Sequence, residues 1–223
     1  MDRNSSSNQN PTDALASARR TRDAIERSQP MTIDKNGVLL SKDDENSLNR
    51  HNVAEIKEGN KFAAQWYEKD KTLYEFEFEE MQRAFPQAEL SVLKDDRLCW
   101  NITFNGIMDG EGVKHTWSFM LIYDSDHPHN KDYGGSIKVY PVKPSMVELS
   151  QMAKDAGKSS GVPHVITDSF GNRILCTAPI SQVQANSRKS VSAITAATWT
   201  ASWATHFQQG LTDDCVWAKF SQH

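Results

Sequence analysis

The side chains best suited to covalent chemistry are the three cysteines, Cys99, Cys176 and Cys215. Their odd number and wide spacing fit neither a disulfide framework nor a CxxC metal site, so each reads as a thiol. A thiol attacks and leaves well only where it can become a thiolate on an accessible, polar stretch of chain. Cys176 meets that condition best, with Asp168, Ser169, Asn172, Arg173 and Thr177 around it. Cys99 alternates with the Trp100, Ile102 and Phe104 side of an apolar run, which predicts a structural role. Cys215 follows Asp213 and Asp214, whose negative charge opposes a thiolate.

Histidines and amides supply the helpers such a thiol would need. His164 precedes Cys176 and is a candidate to orient a loop, deprotonate an amine or donate to an oxyanion. Asn172 and Thr167 are further candidate oxyanion donors. Asp124, Asp126, His127 and His129 crowd together like metal ligands, but Pro128 and a strand end account for them as turn residues. No distant ligand completes a recognised site, so no metal is expected. Gly157-Lys158-Ser159 looks like the end of a phosphate loop, yet Met152 stands where that loop requires glycine. No cofactor is expected.

The composition frames these residues. The chain has 223 residues, 38% hydrophobic and 24% charged, which suits one globular domain with an extension or two small domains. Six Trp and nine Phe can anchor a substantial core. A net charge of -4 gives no global pull toward phosphate backbones or anionic lipid, so a nucleic-acid partner is not expected. No run approaches the roughly 18 apolar residues of a membrane span, and Met1-Asp2-Arg3-Asn4-Ser5 lacks a secretory apolar region. With three unpaired thiols, the expectation is a cytoplasmic protein.

Residues 1 to about 30 are polar, and Asp13 to Ser28 can be helical through its alanines but cannot build a core alone. This stretch is read as a mobile or partner-docked tail. Ile33 to Leu40, around Asn36-Gly37, suggests a short hairpin. From Phe62 to Phe85, Phe62, Trp66, Leu73, Phe76, Met81 and Phe85 recur at roughly helical spacing, and Pro86 stops the helix. Glu75, Glu77, Glu79 and Glu80 are expected on its solvated face.

The period then changes to two. Leu98, Trp100, Ile102 and Phe104 alternate with polar or small neighbours, and a turn is expected over Gly106 to Gly112. Trp117, Phe119, Leu121 and Tyr123 form a second strand, and Ser136 to Val142 a third, together an antiparallel meander. An irregular stretch from about Ala156 to Gln184 carries Cys176. A final helix runs from about Ser190 to Gln209, with Trp199, Trp203 and Phe207 on one face and Gly210 as its stop.

That order resembles the ubiquitin-conjugating (UBC) fold in its divergent bacterial branch. The residues carrying the likeness are Met81-Gln82-Arg83-Ala84-Phe85-Pro86, Leu98-Cys99-Trp100-Asn101-Ile102 and Pro163-His164-Val165. Gly171-Asn172-Arg173-Ile174-Leu175-Cys176 and the Ala/Trp-rich Ala193 to Phe207 complete it. The likeness covers about residues 60 to 210. The resemblance implies an α+β fold: N-terminal helix, antiparallel β-meander, active-site loop with the cysteine, and C-terminal helix. It implies a UBC-like domain over residues 59–223 behind a polar extension of 1–58.

It implies transfer of a ubiquitin-like protein from an activating enzyme, through a thioester on Cys176, to a protein target. His164 and Asn172 are then the helper candidates. Bacterial relatives of this kind sit in small operons, several implicated in defence against phage. The family's usual His-Pro-Asn is here His164-Val165-Ile166, without the asparagine, and the spacing to Cys176 is longer. Two other readings stand beside it: a non-catalytic UBC-fold binding module, and a metal-dependent hydrolase using His127 and His129.

Overall fold

The structure is a computed structural model that describes residues 10–28, 32–33, 39–40, 64–93, 95–129, 135–167, 171–176 and 192–222. The period-two segments build one antiparallel sheet of six strands. These are β3 (Glu89–Val92), β4 (Leu98–Met108), β5 (Lys114–Tyr123), β6 (Ile137–Lys143), β7 (Val165–Thr167) and β8 (Arg173–Leu175), in the order β3-β4-β5-β6-β8-β7. The helices are α1 (Pro11–Ser28), α2 (Trp66–Lys69), α3 (Lys71–Ala84), α4 (Met146–Asp155), α5 (Ala193–Gly210) and α6 (Asp214–Phe220). The fold class is α+β. A separate two-residue pair, β1 (Thr32–Ile33) and β2 (Leu39–Leu40), is antiparallel as the Asn36-Gly37 signal predicts, though the turn itself lies outside the described residues.

The meander has four strands rather than three, because β3 pairs with the start of β4 (Leu90 opposite Trp100). The expected turn at Gly106 falls later. Gly106, at φ 105°, is instead an extra residue in β4, between Asn105 opposite Thr116 and Ile107 opposite His115. Such a bulge reverses the alternation, so Leu98, Trp100 and Ile102 face the main core before it and Ile107 does so after it.

The predicted first helix is broken in two. Asp70 leaves helical geometry (φ -129°, ψ 85°), and its carboxylate accepts the Leu73 N–H at 2.9 Å, capping α3. Its buried face is Tyr74, Glu77, Phe78 and Met81, whereas Phe76 is 56% exposed. Glu77 therefore leaves the solvated face on which the sequence placed it. The sequence did not signal α4, although Ser145-Met146-Val147-Glu148 is a capping box. The Ser145 hydroxyl accepts from the Glu148 N–H at 3.3 Å, and the Glu148 carboxylate accepts from the Ser145 N–H at 2.6 Å.

The main core lies between one sheet face and the helices. Trp117, Phe119, Leu121 and Val139 meet Phe78 and Met81 of α3 and Trp203 and Phe207 of α5. Ala193, Ala196, Ala197 and Ala204 are completely buried, their small side chains letting α5 lie close to the sheet. Trp203 and Phe207 stack at 5.1 Å, while Trp199 is half-buried at the edge. The opposite sheet face has its own apolar cluster of Cys99, Met120, Ile122, Tyr140 and Ile174. The alanine-rich α1 docks on β3 and α3. Ala14 and Ala18 are buried there, Tyr74 donates to the Pro11 carbonyl at 2.7 Å, and Arg22 pairs with Asp96. No described helix is long and apolar enough to cross a membrane.

Candidate active site

Cys176 is the first residue after β8. Strands β7 and β8 form a hairpin in which Val165 opposes Leu175, Ile166 opposes Ile174 and Thr167 opposes Arg173. Val139 of β6 also opposes Leu175, so β8 is fastened to the rest of the sheet. The ladder runs one step further: the Cys176 N–H donates to the His164 carbonyl at 2.6 Å. Residues 164 and 176, distant in the chain, thereby face each other at the open end of a fixed hairpin. Cys176 is half-buried and forms no disulfide.

His164 is bound on several sides. Its φ is 55°, in the left-handed region that a β-carbon disfavours. Its Nε2 lies 2.6 Å from the Phe220 carbonyl oxygen, which only accepts, so Nε2 carries the proton. The ring rests on Phe220 at 5.1 Å, and the indole of Trp203 donates to the neighbouring Pro163 carbonyl at 3.2 Å. Asn172, next to Gly171 (φ 87°) before β8, is 1% exposed. Its side chain is buried and offers no open face to a substrate. Thr167 ends β7 and is exposed, while Asp168, Ser169 and Thr177 lie outside the described residues.

The other thiols are placed very differently. Cys99 is completely buried, and burial pushes its thiol up to about 12, which closes it to nucleophilic chemistry near neutrality. Cys215 is exposed in the first turn of α6, next to the Asp213 cap.

The acidic and histidine run after β5 does not converge as ligands. Among the described residues no group of three or more His, Cys, Asp or Glu is gathered for a metal. His127 turns inward with 2% exposure, Asp124 lies 3.5 Å from the Lys138 ammonium, and His129 is exposed. His127 instead joins a network that sequence reasoning missed. Its Nδ1 is 2.7 Å from the Ser136 hydroxyl, and its Nε2 is 3.8 Å from a Glu77 carboxylate oxygen. The other Glu77 oxygen accepts from the Tyr123 hydroxyl at 3.0 Å and from the Ala193 N–H, at the start of α5, at 2.8 Å.

This Ser-His-Glu string has the residue types of a hydrolase triad, but Ser136 has no exposure and Glu77 only 4%. No substrate reaches it. Glu77 is a buried carboxyl group whose one oxygen accepts from two donors, joining α3, β5 and α5. The available signal was its position three after Tyr74 and four before Met81, inside the helix's buried stripe.

Comparison with known proteins leaves the site to stand on this geometry. No protein-family model, curated protein or solved structure matches the chain. What the arrangement can do chemically follows from the thiol at the hairpin mouth, flanked by a histidine whose backbone and ring are both held.

Proposed function

We propose that this chain is a ubiquitin-conjugating-like transferase of the UBC fold, with Cys176 as its nucleophile. The observation that carries the reading is the β7–β8 hairpin, which sets Cys176 opposite His164 between a four-stranded meander and the tryptophan-bearing α5. In the first step the Cys176 thiolate attacks the thioester joining a ubiquitin-like protein to its activating enzyme, and the activating enzyme's thiolate leaves. In the second, an amine or hydroxyl of a protein target attacks the Cys176 thioester, loses its proton to a base and releases the Cys176 thiolate. With Nε2 protonated, His164 has Nδ1 as its acceptor for that proton. The bacterial, phage-defence setting of the resembling proteins is part of the same proposal, as is a cytoplasmic location.

A second reading, a binding module of this fold without transfer activity, is favoured by the engagement of His164 Nε2 with Phe220. Incubation with ATP, a cognate adenylating enzyme and its ubiquitin-like protein separates the two. The transferase gives an adduct that a thiol reductant removes and that Cys176→Ala cannot form. A module binds the ubiquitin-like protein with no adduct in either variant.

A further inference from the structure

We infer that the C-terminal helix α6 is the positioning element for Cys176, acting through His164; the functional meaning of this rests on the transferase reading. Three places in the segment that delivers His164 to the hairpin are tied to α6. The Lys158 ammonium, though its residue is 9% exposed, reaches the Asp214 carboxylate at 2.5 Å and lies 5.5 Å from the Trp217 ring. The Trp217 indole donates to the Ser160 hydroxyl at 3.3 Å. His164 donates to the Phe220 carbonyl at 2.6 Å. The His164 carbonyl in turn receives the Cys176 N–H. A chain of direct bonds therefore runs from α6 to the backbone of the thiol residue.

The helix is itself seated firmly enough to bear on that segment. Trp217 packs on Phe207 at 5.5 Å, and Phe220 lies 5.9 Å from both Trp203 and His206. Gly210 leaves no room between α5 and α6, since a β-carbon there would come within 2.9 Å of the Trp217 ring. His164 sits at a positive φ that its own β-carbon opposes, so outside bonds must hold it there. The Phe220 carbonyl also selects its tautomer, leaving Nδ1 as the acceptor nitrogen. Lys158, Asp214, Trp217 and Phe220 are positioning residues; none of them is placed to touch a substrate.

The test uses the otherwise intact chain lacking residues 220–223, the His164→Asn variant, and both changes together. Asparagine tolerates the left-handed conformation, so His164→Asn removes the bond to Phe220 without forcing the backbone. Two quantities are read by mass spectrometry at Cys176: amide hydrogen exchange, and the pH profile of alkylation by iodoacetamide. The expected result is exchange about tenfold faster or more, and a displaced alkylation profile, in each single variant. The double variant shows no further change at Cys176, because both alterations remove the His164–Phe220 bond through which α6 reaches it.

Additive effects, or exchange and alkylation within about twofold of the parent, overturn the inference. If the shortened chain loses its cooperative unfolding transition, Asp214→Lys with Asp214→Glu as its rescue decides the same question, since Asp214 is exposed. Neither readout needs an activating enzyme or modifier. Coupling without any thioester adduct therefore sinks the transferase reading alone, and adduct formation at the parental rate in the shortened chain sinks this inference alone.

Discussion

At the scale of residues, Glu77 shows how environment reassigns a side chain. One of four glutamates in a polar-looking run, it is turned inward by the helical period and met by Tyr123, His127 and the first N–H of α5. Glu77→Ala should cost about 3 kcal/mol, because Tyr123 and the start of α5 lose a buried acceptor at once. Glu77→Gln should cost markedly less, and denaturant titration checks both. The cysteines make a second test. In the native protein, thiol reagents near pH 7.5 should modify Cys176 and Cys215 while sparing Cys99, whose burial holds its thiol near 12. Peptide mapping that finds Cys99 modified under native conditions contradicts the burial described.

At the scale of elements, caps and bulges decide what the chain does between its regular patterns. Asp70→Ala should destabilise the protein by about 1 kcal/mol through loss of the α3 cap. Glu148 gives a pH test. Its carboxyl is held below its ordinary 4.5, mainly by accepting the Ser145 N–H and then by the Ser145 hydroxyl. A folded value below the unfolded one means the unfolded chain binds more protons, so this stabilisation is complete above about 4.5. It is lost as pH falls through the lower folded value. Glu148→Gln should therefore lower stability at neutral pH, and its deficit should close on acidification. The same elements show what was legible beforehand. Leu98 to Phe104 and Trp117 to Tyr123 announced β4 and β5 because their alternation spans many residues. The four-residue β3 was not legible: its identity comes from pairing with β4. Asp70 and Ser145 carry cap-forming side chains, but a cap is a local signal that the apolar spacing across it does not register.

At the scale of the whole molecule, the sheet brings together what the chain keeps apart. His164 and Cys176 meet because β7 and β8 pair, and α6, packed on α5, bonds His164 directly and Cys176 only through it. Cys176 was legible from its polar surroundings and its place before the tryptophan-rich helix. The roles of Ser160, Trp217 and Phe220 were not, since nothing local marks a carbonyl or an indole as a tether. The central claim is that Cys176 carries a ubiquitin-like protein by an acyl bond. Intact-mass analysis of Cys176→Ser after incubation with ATP, the activating enzyme and the modifier tests it most directly. The account predicts an adduct that resists thiol reductant yet is released by hydroxide, as an oxygen ester must be, and none with Cys176→Ala. An adduct of equal yield on Cys176→Ala would contradict it.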